Sequence, residues 1–409
     1  DLFQLIYVFD MGNNHDKALG TAFDYLEYLG TSDMTPEELK SEFYRLACTF
    51  YVSPGNERTY VVLSGLNENM PAAVQLFEKL LADAQVNKEA YTNMTSDILK
   101  ARSDAKLNQG QNFSRLMSFA MYGPKSPATN LLTEAELTNM NPQELVDRIH
   151  NQNSYKHRIL YYGPSSSKDL LATINQYHQV PATLKDIPAG NEYAYLETPV
   201  TKVLVAPYDA KQIYMAQISN LDKKYDPAIE PIRALYDEYF GGGMNSIVFQ
   251  EMRETRGLAY SAWASIMPPS YLKYPYVLRT QIATQNDKMI DAVTTFNDII
   301  NNMPESEAAF KLAKDGLTNR LRTERIIKGD IIWSYINAQD LGQNVDPRIK
   351  LYNDIQNMSL KDIVDFQKQW VKGRTYVYCI LGDKKDLELD KLKAVGPIEE
   401  LTQEQIFGY

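Results

Sequence analysis

The chain has 409 residues, 44% of them apolar and 23% charged; this ordinary globular usage excludes a disordered, collagen-like or coiled-coil protein and leaves room for two or three domains. Its 42 basic and 52 acidic side chains give a formal charge of −10, which repels a phosphate backbone and argues against nucleic acid as a partner. No apolar run approaches the roughly 18 residues of a membrane span, and two cysteines are too few for a disulfide scaffold or a cysteine-based zinc module.

Phe3–Phe9 reads as a strand. Leu19, Ala22, Phe23 and Leu26 recur at i, i+3, i+4 and i+7, which predicts an amphipathic helix. Thr35-Pro36-Glu37-Glu38 is a capping box with proline at the first helical position, opening a helix to about Ala47. Strands follow at Cys48–Val52 and Arg58–Gly65, joined by a turn at Pro54-Gly55-Asn56. A helix from Pro71 to Asp83 comes next, then helical segments through Lys106 and over Asn141–Asn151, then a closing strand at Ile159–Tyr162. Pro181, Pro188, Pro199 and Gly190 give Val180–Val200 a linker composition. Beyond it lie an apolar strand, Lys202–Pro207, a strand at Tyr214–Asn220, and a second amphipathic helix carrying Ile232, Leu235, Tyr236 and Tyr239. That helix ends at Gly241-Gly242-Gly243; Ser246 or Asn245 then caps a short helix through Phe249, Met252 and Arg253, Gly257 stops it, and Leu258–Ile266 reads as a strand. Cys48 and Cys379 sit in apolar strand-like contexts and read as two buried thiols, and many of the 28 tyrosines must be partly exposed or line a cavity.

The chain repeats itself. Glu27-Tyr28-Leu29-Gly30 falls on Glu238-Tyr239-Phe240-Gly241 at an offset of 211, and the same offset places Phe3–Phe9 on Tyr214–Asn220. Met70–Phe77 matches Met289–Phe296, and Ile159–Gly163 matches Tyr378–Gly382, both at 219. Matches in one order predict two copies of one α+β domain, each an antiparallel-rich sheet with helices on one face, over residues 1–185 and 195–409. The first copy has no equivalent of Lys202–Pro207, so it is expected to lack its first strand, either as the C-terminal piece of a longer polypeptide or through loss of its first residues.

The triple glycine is not a phosphate loop, since no Gly-Lys-Ser/Thr follows it; it reads as a flexible turn or as backbone that approaches a ligand closely. Gly241-Gly242-Gly243-Met244-Asn245-Ser246-Ile247-Val248-Phe249-Gln250-Glu251-Met252-Arg253-Glu254-Thr255-Arg256-Gly257-Leu258-Ala259-Tyr260-Ser261 resembles the C-terminal-half signature of the pitrilysin (insulinase) family of zinc peptidases. The resemblance implies α/β roll domains, two per half, with two halves closing like a clamshell around a peptide. It implies that zinc sits in the other half, on a helix carrying His-x-x-Glu-His. In that motif two histidines on one helix face bind the metal and the glutamate acts on its water. Here the corresponding helix of the first copy carries Asp24, Glu27 and Tyr28, Asp97 is the carboxylate nearest the downstream ligand position, and His15, His150, His157 and His178 contain no i, i+4 pair. No metal is therefore expected in this chain, and no catalytic residue.

The resemblance further implies that Arg253 and Tyr260 bind substrate near the scissile bond. A guanidinium donates charge-assisted hydrogen bonds to carbonyl oxygens, and a phenol can donate to a developing oxyanion. Taken alone, Arg253 reads as a surface ion-pair residue and Tyr260 as a core aromatic; Arg256 reads as solvent-facing or structural, and Phe3–Phe9 as a structural strand rather than a peptide-binding edge. The expected function is that of a non-catalytic half, with a peptide substrate and a zinc-bearing half supplied by the same polypeptide or a partner subunit. An inactive scaffold and a peptide-binding module stay open beside it. Few cysteines, an acidic composition and abundant Asn and Tyr fit a bacterial periplasmic setting.

Overall fold

Apolar side chains lay one face of each sheet on helices, and the second sheet departs from the expected one-sided cover by packing a helix on its other face too, in a computed structural model that describes residues 1–409. The chain forms two units. The first holds Asp1–Asp104, Pro127–Tyr193 and Ile327–Trp333; the second holds Ala105–Ser126, Ala194–Ile326 and Ser334–Tyr409.

In the first unit β1 (Leu2–Phe9), β2 (Cys48–Pro54), β3 (Thr59–Leu66) and β4 (His157–Tyr162) form an antiparallel sheet in the order β2-β3-β1-β4. Phe3, Leu5, Tyr7 and Phe9 share one core with Phe23, Phe77 and Val146 from the helices Leu19–Leu26, Met70–Asp83 and Gln143–Asn151. Burying each such side chain is worth about 1.5–3 kcal/mol. The Thr35 capping box forms as the sequence predicts, on a helix that spans Pro36–Arg45.

The second unit has six strands: β5 (Lys202–Pro207), β6 (Gln212–Lys224), β7 (Ser261–Met267), β8 (Pro275–Gln285), β9 (Val377–Gly382) and β10 (Ile398–Glu400), in the order β10-β5-β9-β6-β8-β7. β5 runs parallel to β9 and to β10, and the remaining pairs are antiparallel. Helices Glu230–Phe240, Met289–Asn301 and Leu360–Trp370 cover one face through Leu235, Tyr236, Phe296 and Phe366. The other face carries a second core, where Phe113 and Leu116 of the helix Gln109–Tyr122 meet Leu204, Ile218, Cys379 and Phe407. That helix lies within the first repeat in sequence yet packs in the second unit. Both cysteines are buried and free.

The repeat is visible in the pairing. Tyr7 stands opposite Val61 and Ile159, and Gln217 opposite Thr280 and Tyr378. Val61 and Ile159 map on their counterparts at 219, so the strand offset is 210 and not the 211 of the adjoining helix. A one-residue slip flips every side chain to the opposite face: Phe3, Leu5 and Tyr7 face the first unit's helices, whereas Tyr214, Ala216 and Ile218 pack on the far side of the second sheet. The four-stranded sheet has no counterpart of β5 or β10. β1 lies inside its sheet, between β3 and β4.

Candidate functional site

The helix Glu230–Phe240 leads into the signature segment. Its Arg233 binds Glu230 through Nε (3.1 Å to each carboxylate oxygen) and Asp237 through Nη1 (2.7 Å). Asp237 also accepts from the Ser265 hydroxyl (2.8 Å) and the Ile266 N–H (2.8 Å), which ties the helix to β7. Gly241 closes that contact: a Cβ there would stand 2.2 Å from the Ala264 carbonyl oxygen. The backbone that comes close at Gly241 is therefore the chain's own edge strand.

Ser246 caps the next turn, its Oγ accepting from Phe249 N–H at 3.4 Å. The expected short helix is α-helical only over Ile247–Phe249 and continues as a π-helical turn over Gln250–Thr255; π turns cluster at functional sites. Gly257 has φ +57°, a left-handed conformation that L side chains resist. Leu258 N–H bonds back to Met252 O (2.8 Å), Lys288 Nζ donates to Gly257 O (3.1 Å) and Thr284 Oγ1 to Leu258 O (2.5 Å). These bonds hold Leu258–Tyr260 as a loop, so the strand expected from Leu258 begins at Ser261 instead.

This loop brings Arg253 and Tyr260 together. The guanidinium lies 5.3 Å from the centre of the Tyr260 ring and 5.0 Å from that of Phe249, within cation–π range. Its only ion-pair partner is Glu254 at 3.6 Å. Tyr260 is 73% exposed, and its N–H is anchored on Ala283 O at 3.0 Å. Neither side chain is a core residue, and both present donors to solvent. Arg256 is paired with Glu251 at 3.6 Å. The strand pairing aligns Cys48, which is buried, with Tyr260, so the first repeat has no such pair.

Metal ligands are a different matter. Asp24, Glu27 and Asp97 are exposed, Leu235 and Tyr239, on the corresponding helix of the second copy, are buried in the core under that unit's helices, and no group of three His, Cys, Asp or Glu side chains is gathered to hold a metal ion. The residues present do not fit zinc. The histidines do meet in one place that their sequence spacing hides. His157 Nε2 lies 2.8 Å from His178 Nε2, His178 Nδ1 lies 2.7 Å from Glu78 Oε1, and the Tyr7 hydroxyl donates to the same oxygen at 2.8 Å. Burial lowers the His157 imidazole from its ordinary value.

Sequence reasoning passed over Arg279. It sits on β8 with its guanidinium 5.1 Å from the Trp263 ring centre, and its Nη2 donates to Gln281 at 2.9 Å. The available signal was a charged residue inside the alternating run Tyr276–Ile282.

Residues 159–317 match the family model described as the peptidase M16 inactive domain. An "Uncharacterized zinc protease" of Rickettsia felis is 20% identical over 263 residues, which cover 61% of this chain and 60% of that protein, so the chain spans less than two thirds of its length. The "Non-peptidase homolog YmxG" of Helicobacter pylori is 23% identical over 396 residues, 91% of this chain and 87% of that one. Among solved structures, a conserved protein from Enterococcus faecalis superposes with a TM-score of 0.77 at 14% identity, covering 94% of both chains. A peptidase M16 inactive domain from Pseudomonas fluorescens gives 0.72 at 15% identity, over 94% of this chain and 93% of that one. The periplasmic protease PqqL from Escherichia coli gives 0.72 at 14% identity, over 94% of this chain but 43% of that one. The pitrilysin-type resemblance of the glycine-to-tyrosine segment and the α+β fold are both borne out. No helix is long and apolar enough to cross a membrane.

Proposed function

We infer, from a chain whose residues 159–317 match the peptidase M16 inactive-domain model, that it is the non-catalytic half of a zinc endopeptidase and supplies peptide-binding groups to a chamber whose metal sits in another half. The supporting observation is the Arg253–Tyr260 pair, exposed and in contact on a loop that several backbone hydrogen bonds hold in place. A peptide carbonyl beside it would accept from the guanidinium, and the phenol is free to donate to an oxygen that gains charge as the bond is cut. These donors are strongest for the charged, late form of the substrate, so they favour the transition state over the bound peptide. Zinc chemistry is assigned to the partner half, in the same polypeptide or a separate subunit.

One observation favours a second reading, an inactive assembly subunit: the Helicobacter pylori relative is named a non-peptidase homolog and matches most of the chain. Titrating the purified chain with a long unstructured peptide separates the two. The first reading expects binding that Arg253→Ala and Tyr260→Phe both weaken; absence of binding to any peptide favours the assembly role.

A further inference from the structure

β8 presents two faces. Tyr276, Leu278 and Ile282 enter the core under the helices, which puts Val277, Arg279 and Gln281 on the other side. There Arg279 is half-buried with an unusual lack of partners. Its Nε is buried and unbonded, its one hydrogen bond goes to a neutral amide, and the rest of its cation lies against Trp263. No carboxylate pairs with it. A desolvated cation without a counter-charge is costly, and a protein with 52 acidic residues could easily have supplied one. Burial lowers the guanidinium from its ordinary value, opposed by the Cys379 thiol, yet an arginine stays charged. Gln281 Oε1 is occupied by Arg279, which leaves the amide NH2 as a second donor. Arg279 lies four residues along β8 from Ala283, the residue that anchors Tyr260. That is about 13 Å at 3.3 Å per residue, the span of four residues of extended peptide.

We propose that Arg279, flanked by Trp263 and Gln281, is a carboxylate-binding subsite that selects an acidic group on an extended peptide about four residues from the Arg253–Tyr260 pair. The subsite rests on the peptide-grip reading for its substrate class. Its ligand carboxylate can be an Asp or Glu side chain or a peptide C-terminus, both of which offer the planar acceptor that a guanidinium binds through two N–H groups. Trp263 supplies the flat wall that keeps the cation oriented and water away from it.

The test uses the whole chain and three ten-residue unstructured peptides: neutral and amidated, amidated with one internal Glu, and neutral with a free C-terminus. Binding by calorimetry should favour one or both acidic peptides about tenfold over the neutral one, and the peptide that gains names the source of the carboxylate. Arg279→Gln should erase that preference and leave binding of the neutral peptide unchanged; Arg279→Lys should restore part of it. A parallel NMR titration with N-acetylglutamate should move the Trp263 indole N–H in the wild type and not in Arg279→Gln. Peptide binding with no acidic preference, or a preference that survives Arg279→Gln in a folded variant, overturns the subsite and leaves the grip reading standing. No binding of any peptide with the N-acetylglutamate shift intact overturns the grip reading and keeps the subsite. Loss of both overturns both.

Discussion

Arg233→Met tests how the second unit holds its edge strand. Arg233, Glu230 and Asp237 side chains are 13%, 19% and 14% exposed, so removing the cation leaves two nearly buried carboxylates facing each other. Breaking one partner out of a buried pair costs about 3–5 kcal/mol. Burial pushes the Asp237 carboxyl up to about 6, while Arg233, the Ile266 N–H and the Ser265 hydroxyl oppose it. A carboxyl raised above its unfolded value contributes stability that is complete below the unfolded value, near 4, and is lost as pH rises through about 6; ionising it in the folded chain costs ~3 kcal/mol. Without Arg233 that loss deepens and moves to higher pH. The expected outcome is a melting temperature lowered by about 6–20 °C at pH 8, from 2–4 °C per kcal/mol for a unit of this size, and a much smaller drop at pH 5, where Asp237 is neutral. Scanning calorimetry at both values reads it, since a two-unit chain can melt in two steps. A drop below 2 °C at pH 8, or one of equal size at pH 5, would show that the Arg233–Asp237 pair does not hold the edge strand.

Gly241→Ala should destabilise the second unit severely, by more than 3 kcal/mol in chemical unfolding, because its Cβ meets the Ala264 backbone at 2.2 Å. Gly257→Ala meets no neighbour and should cost only about 1 kcal/mol, the penalty of a left-handed alanine. Arg253→Ala and Tyr260→Phe should leave the melting temperature within about 2 °C, since both side chains are exposed. For the first unit, burial lowers His157, so the unfolded chain binds more protons than the folded one in the ordinary histidine range. That contribution is present above about pH 6.5 and fades as pH falls; His157→Asn should flatten the decline in melting temperature between pH 7.5 and 5.5.

What the sequence revealed, and what it concealed, follows from range. Amphipathic spacing and the Thr35 box are local, and they located Leu19–Leu26, Pro36–Arg45 and Glu230–Phe240 within a few residues. Repeats at fixed offset led to the expectation of two copies of one domain, but the turn between strand and helix differs by one residue, and so the offset of 211 put Tyr214 where Ile213 belongs. The Gln109–Tyr122 helix carries an apolar stripe that fits either core, and nothing in its own residues names Leu204 or Cys379 as neighbours. Arg253 and Tyr260 were singled out only through the resemblance of the one continuous segment that carries both, since taken alone each reads as an ordinary surface or core residue. Arg279 was not, because its isolation depends on carboxylates that are absent from its surroundings, and a linear sequence does not show surroundings. The His157–His178–Glu78 chain spans β4, the end of the Ser167–Tyr177 helix and the Met70–Asp83 helix, contacts that only the folded sheet creates.

One incubation addresses the division of labour between this chain and a metal-bearing half. The purified chain is mixed with a long unstructured peptide, with and without added zinc, and both binding and cleavage are followed in the same sample, the latter by mass spectrometry. The expected result is bound and uncut peptide under both conditions. Cleavage that a chelator abolishes would contradict it.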